Sequence, residues 1–213
     1  MRLSLIGMAG AGKSYWASNL AEHGFRHFCC DYLIANKLDP LLRRPDGTLM
    51  GMGEWMGFPF QVGYKKRESK YLSAEREVLG EVLDYLEDHD NNLDGNIVVD
   101  TTGSVIYTGK GMLKRLAQCT LIVYLSTPPE VRDRLLRAYI SNPHPMLWRD
   151  VFSRGPEETN EEALSRCYPQ LFLARQRLYE RYADVTIDYY ERMGEGFGVS
   201  EFLETIVVKK NLI

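Results

Sequence analysis

Residues 7–14 read Gly7-Met8-Ala9-Gly10-Ala11-Gly12-Lys13-Ser14 and fill every fixed position of G-x-x-x-x-G-K-[ST]. This stretch constrains the fold more than any other, because the motif works only between a strand and a helix. Both flanks comply. Leu3-Ser4-Leu5-Ile6 is a short apolar run suited to a buried parallel strand. Residues 14–22 place Trp16, Ala17, Leu20 and Ala21 on one helical face. In such a loop the glycines let backbone N–H groups turn inward around phosphate oxygens, and the helix N-terminus adds partial positive charge. The pattern predicts a nucleoside triphosphate site formed by Gly7, Ala9, Gly10, Ala11, Gly12, Lys13, Ser14 and Tyr15. Lys13 is expected to bridge the β- and γ-phosphates, and the Ser14 hydroxyl to ligate Mg²⁺.

The rest of the chain supplies a frame for that loop. With 213 residues and 45% hydrophobic content, one core with an appended lid is expected over 1–213. The net charge is −3 without a basic block, so no nucleic-acid partner is expected. Met1-Arg2 runs straight into the first strand and no apolar run reaches spanning length, so neither a signal peptide nor a membrane segment is expected. The cysteines are Cys29, Cys30, Cys119 and Cys167. They form no C-x-x-C pair, which fits reduced thiols in a cytoplasmic protein. A monomer or homodimer acting on a small molecule is the expectation.

In chain order, residues 25–30 read as a second strand closed by Asp31. Ligands gather at the C-terminal ends of parallel strands, so Asp31 is a candidate site residue; the plain alternative is an N-cap for a helix over 32–37. Residues 39–63 are irregular but hold Trp55, Phe58 and Phe60, which suggests a flap over a ligand. Residues 64–90 carry the longest helical pattern, and its opening cations Lys65, Lys66 and Arg67 sit unfavourably at a helix N-terminus, pointing to an anionic partner. Residues 32–90 are read as the substrate-binding region. Asn96-Ile97-Val98-Val99-Asp100 is a strand ending in a carboxylate that suits Mg²⁺ held through water. Thr101-Thr102-Gly103-Ser104 follows, small enough for close ligand approach. A helix over 108–118, a strand over 120–125 and an arginine-rich helix over 129–140 come next. Residues 141–162 read as a basic lid with Arg149 and Arg154. A helix over 161–182 that Pro169 should break or kink, a strand over 185–188 and a helix over 199–208 complete the chain. The order predicts an α/β, three-layer P-loop kinase fold: a five-stranded parallel sheet with helices on both faces.

Laid out this way, the chain resembles shikimate kinase, within the wider group of nucleoside-monophosphate-kinase-like small-molecule kinases. The likeness is carried by the phosphate loop, by Phe28-Cys29-Cys30-Asp31-Tyr32-Leu33-Ile34, and by Gly63-Tyr64-Lys65-Lys66-Arg67-Glu68, which is similar to the family's Phe-Arg-x-Arg-Glu. It is carried further by Gly103-Ser104-Val105 and by residues 178–187. The resemblance implies that Asp31 binds substrate hydroxyls and assists deprotonation, and that Arg175 and Lys65 hold a substrate carboxylate, with Thr102 and Gly103 beside it. It also implies departures. The family's Mg²⁺-linked aspartate falls on Cys29, its triple glycine reads Thr101-Thr102-Gly103, and its lid arginine falls near His144. Asp100 is then the candidate to take over the metal role.

These readings converge on transfer of the γ-phosphoryl group of ATP, with Mg²⁺, to a hydroxyl of a small, carboxylated metabolite. Asp31 and Lys13 are the catalytic pair, Arg137 is expected near adenine, and Arg149 or Arg154 would close on the phosphates. A nucleoside or nucleotide kinase, with Trp55, Phe58 and Phe60 stacking a base, is an alternative. So is a nucleotide-binding regulator without chemistry. No Asn-Lys-x-Asp motif supports a GTPase switch.

Overall fold

The computed structural model describes residues 1–88 and 95–211. Five strands form one sheet: β1 (Arg2–Ile6), β2 (Phe25–Cys29), β3 (Asn96–Asp100), β4 (Leu121–Leu125) and β5 (Val185–Ile187). Their spatial order is β2-β3-β1-β4-β5, all neighbours parallel. The sequence shows why. β1, β3 and β4 are mainly apolar and buried on both faces, while β2 carries Arg26 and His27 at the edge. β1 lies between β3 and β4, where the chain's connections part to opposite sides. The phosphate loop therefore opens at the topological switch point of the sheet.

Nine helices pack around the sheet among the described residues: α1 (Lys13–Glu22), α2 (Cys30–Leu42), α3 (Met52–Met56), α4 (Tyr64–Asp88), α5 (Lys110–Cys119), α6 (Arg132–Ser141), α7 (Asn160–Tyr182), α8 (Tyr189–Arg192) and α9 (Val199–Lys210). Trp16 of α1 stacks on Phe202 of α9 at 4.4 Å between ring centroids, clamping α1 over the sheet. Among the described residues no helix is long and apolar enough to cross a membrane.

Several expectations shift. α2 starts at Cys30 and runs to Leu42, so Asp31 lies in its first turn and Cys29 is the N-cap. Pro40 lies in the last turn of α2, where it removes one i→i−4 bond, and the helix ends two residues later at Leu42. The supposedly irregular 39–63 stretch contains α3. Pro169 does not end α7, which runs unbroken to Tyr182; Thr159 and Glu162 start it with a full capping box. A short helix, α8, appears where none was expected, capped by Asp188, whose side chain accepts from the Tyr190 N–H at 2.8 Å. The expected end of α4 at 90 falls outside the described residues.

Candidate active site

The loop geometry follows from its glycines. Gly7, Gly10 and Gly12 have φ of +144°, +81° and +92°. A Cβ at Gly7 would stand 2.8 Å from the Leu125 carbonyl oxygen, and one at Gly10 2.8 Å from Leu135. No side chain caps α1, so its first amides stay available to an anion. Lys13 is buried, and its ammonium donates to the Gly7 and Met8 carbonyls at 3.0 and 3.1 Å. Burial lowers its pKa, opposed chiefly by the Asp100 and Asp31 carboxylates.

A cleft of about 470 Å³ opens over this loop. Ala9, Gly10, Gly12, Lys13, Ser14 and Tyr15 form one wall; Asp31, Tyr71, Thr102 and Gly103 face them; Met52, His144 and Pro145 roof it. The topology brings these segments together. Asp31 follows the end of β2, and Thr102 and Gly103 follow the end of β3, both beside the loop that follows β1. Gly103 must be small, since a Cβ there would stand 3.2 Å from the Ala9 amide nitrogen. Gly53 lets the roof form: a Cβ on it would overlap the Pro143 carbonyl, so only glycine lets α3 pack against the 143–145 segment.

Asp31 is reached by solvent through the cleft, yet the protein around its carboxyl raises its pKa; nearby Lys13 opposes this. Tyr71 donates to Asp31 Oδ1 at 3.3 Å. One turn along α4, Glu75 is almost wholly buried and accepts from Ser104 Oγ at 2.9 Å and from the Thr102 hydroxyl. Burial drives its pKa up to about 7 against those two hydrogen bonds. Glu75 thereby fixes the 102–104 turn. His144 has no hydrogen-bond partner at its buried Nε2, and burial, with Arg175 and Lys13 nearby, pushes its pKa down to about 4. The roof over the cleft is thus a neutral imidazole at ordinary pH.

Other expected residues fall elsewhere. Lys65 is exposed and pairs with Asp150 at 3.3 Å outside the cleft. The opening cations of α4 serve their own chain: Arg67 donates to the Met56 and Val62 carbonyls. Arg175 is buried behind Gly103, where Nη1 donates to the Gly103 carbonyl at 3.1 Å and Nη2 to the Leu147 carbonyl at 2.7 Å; its Nε has no partner. Phe58 and Phe60 stack on each other and reach Tyr139 and Phe152, while Trp55 is buried, so these aromatics join the flap to the lid segment and do not line the cleft. Met52 is the flap residue that does. Arg149 lies over the Tyr107 ring and Arg154 binds the Asn160 side chain; neither lines the cleft. The lid segment is itself anchored through buried Met146, Leu147 and Trp148, with Trp148 Nε1 donating to the Tyr139 hydroxyl at 3.2 Å.

A second cavity of about 440 Å³ adjoins the first through Gly10, Gly12 and Tyr15. Ala11, Trp16, Arg134, Tyr189, Arg192, Met193 and Phe197 complete it. Arg134 and Arg137 are both exposed on α6; Arg134 donates to the Tyr189 hydroxyl at 3.2 Å and lines this cavity, and Arg137 is not among its lining residues.

Tyr71 and Glu75 were not foreseen, and His144 entered only as the position near which the family's lid arginine falls. A signal for the first two was present: Tyr64, Glu68, Tyr71 and Glu75 recur at helical spacing as a polar stripe on the buried face of an otherwise amphipathic helix.

No protein-family model matches this sequence, and no curated protein matches it. Solved structures do share its fold. The chain is similar to the shikimate kinase from Acinetobacter baumannii in complex with shikimate, at 22% identity and a TM-score of 0.59, over 99% of this chain and 92% of that one. It is similar also to the shikimate kinase from Bacteroides thetaiotaomicron, at 17% identity and a TM-score of 0.57, over 100% of this chain and 98% of that one. The chain has the fold of these shikimate kinases.

Proposed function

We propose that the chain transfers the γ-phosphoryl group of ATP to a hydroxyl of a small molecule. The observation that carries this reading is that Lys13 and Asp31 line one cleft, close enough to act on each other through their charges. The loop suits triphosphate: its glycines hold positive φ that side-chain-bearing residues rarely adopt and pack closely on Leu125 and Leu135, and α1 offers uncapped amides. Mg²⁺ also fits. Ser14 lines the cleft, and both Asp100 oxygens are buried without a hydrogen-bond partner, so Ser14 and, through water, Asp100 would hold the ion. MgATP supplies the electrophilic phosphoryl group and neutralises charge on the phosphates.

The chain's own residues do the rest. Lys13 neutralises charge that builds on the phosphate oxygens, and the loop amides keep the phosphates in line. Asp31 orients the acceptor hydroxyl and takes its proton. A carboxyl raised above its usual range is a better base near neutral pH. The Tyr71 hydrogen bond holds Oδ1, leaving Oδ2 for the acceptor. Thr102, held by Glu75, lines the acceptor side. Arg134 and Tyr189 are placed to flank the base of the nucleotide in the adjoining cavity.

The acceptor wall presents hydroxyls, one carboxylate and a neutral imidazole. Of its charged groups the cation is Lys13, which faces the phosphates. That lining favours a hydroxylated acceptor without a fixed negative charge. A second reading is a carboxylated hydroxy acid such as shikimate, the ligand of one structure sharing the fold. Its support here is the unpartnered Nε of Arg175; a carboxylate would have to draw that guanidinium away from the Gly103 or Leu147 carbonyl. ATP-dependent turnover measured across polyols, nucleosides and hydroxy acids separates the two. Transfer to uncharged acceptors alone supports the first, and transfer to shikimate alone the second. ATP binding without transfer to any of them refutes the kinase reading.

A further inference from the structure

The face of the sheet beneath α1 carries a second cluster. His27 and Cys29 lie two residues apart on β2, so their side chains leave the same side of the strand. Asp100, the last residue of β3, pairs with Cys29 across the parallel ladder. Together they offer an imidazole nitrogen, a thiol sulfur and a carboxylate oxygen, all within 4.8 Å of one another. His27 Nε2 stands 3.8 Å from Asp100 Oδ2, too far for a hydrogen bond. Neither that nitrogen nor either Asp100 oxygen has a hydrogen-bond partner, although Asp100 is only 1% exposed. A buried carboxylate with both oxygens unmet is costly unless a cation answers it. The Lys13 ammonium is close enough to act on Asp100 through its charge, but it gives its hydrogen bonds to the Gly7 and Met8 carbonyls and none to Asp100.

We propose that His27, Cys29 and Asp100 form a binding site for a divalent transition metal of the zinc class, distinct from the Mg²⁺ on the nucleotide. Tetrahedral zinc sites with bonds of about 2.1 Å to nitrogen and oxygen and about 2.3 Å to sulfur set ligand atoms about 3.4 to 3.7 Å apart. The observed 3.8 Å between His27 and Asp100 needs only a small closing movement to meet that edge. The donor set also selects the ion. Nitrogen and sulfur suit zinc and its neighbours, whereas Mg²⁺ demands oxygen. On binding, the Cys29 thiol releases its proton to solvent, and thiolate plus carboxylate balance the two positive charges. Three ligands on two hydrogen-bonded strands hold the site on rigid backbone and leave a fourth position open. His27 and Cys29 are only partly buried, so an ion can reach them.

The assignment does not depend on the phosphoryl-transfer reading. Asp100 is shared with the Mg²⁺ role, so the test uses the full chain free of nucleotide. Co²⁺ is titrated into the protein under a non-thiol reductant. The expected result is a near-ultraviolet thiolate-to-cobalt absorption band with one equivalent bound, displaced by Zn²⁺ and not by Mg²⁺. Cys29→Ser abolishes the band, Cys119→Ser leaves it, and Asp100→Asn weakens binding by at least about tenfold, the cost of losing even an outer partner of a metal ligand. A second measurement needs no variant: Zn²⁺ slows alkylation of Cys29 relative to Cys119, read by peptide mass spectrometry. Absence of the band, its survival in folded Cys29→Ser protein, or equal alkylation of Cys29 with and without Zn²⁺ overturns the proposal.

Discussion

Glu75 and His144 should give this protein two opposed pH dependences, of which that of Glu75 is the larger. The folded protein raises Glu75 from an ordinary 4.5 to about 7. Between those values the folded chain holds a proton that the unfolded chain has released, so stability falls as pH rises through the window. A separation of about 2.5 pH units corresponds to about 3 kcal/mol. His144 works the other way. Its pKa falls from 6.5 to about 4, so the unfolded chain protonates first, and stability falls as pH drops through that window. Its magnitude is smaller, because the ring is only partly buried and is more open to solvent screening. The contributions of these two groups should therefore partly offset each other between pH 4.5 and 6.5. Glu75→Gln keeps an acceptor for Thr102 and a polar partner for Ser104 but cannot ionise. Urea unfolding of both proteins, followed by tryptophan fluorescence from pH 4.5 to 8, isolates the glutamate. The difference in unfolding free energy should move by up to about 3 kcal/mol in favour of the variant as pH rises. A difference that stays constant with pH, or moves in the opposite direction, refutes the assigned environment of Glu75.

Other perturbations test the site's frame. Gly7→Ala forces a side chain into a φ of +144° beside the Leu125 carbonyl, and should abolish nucleotide binding in calorimetry while lowering stability by about 1–3 kcal/mol. Arg175→Met leaves the buried Leu147 carbonyl without this donor and takes one of two donors from the Gly103 carbonyl, which Tyr179 still serves, and should cost about 2–4 kcal/mol by denaturant unfolding. Lys65→Ala removes an exposed pair with Asp150, so stability should change by less than about 0.5 kcal/mol and kcat/KM for the acceptor by less than about twofold.

How much of this was legible in the sequence depended on whether the signal was local. The phosphate loop, the apolar strands and the carboxylates after β2 and β3 are each encoded within a few residues, and parallel-strand topology then brings their ends together. Thr159 and Glu162 carried a local helix-start signal, three residues apart, that the reading of 141–162 as a lid passed over. What escaped depends on tertiary choice. Arg175 and Lys65 carry the right charge, but which carbonyls or carboxylates answer it is decided by helix phase and by the 143–148 segment. The aromatics Phe58 and Phe60 signalled burial without saying against what; they found Tyr139 and Phe152. His144 and Met52 reach the cleft only because Gly53 lets two distant loops meet.

The most direct test follows labelled γ-phosphate from ATP in the unaltered protein and in Asp31→Asn, with the best acceptor of the panel. The account predicts transfer of label to an acceptor hydroxyl in the first. In the variant it predicts a loss of turnover of about 10²- to 10⁴-fold, with ATP affinity within a few-fold. Undiminished transfer in Asp31→Asn would contradict the account.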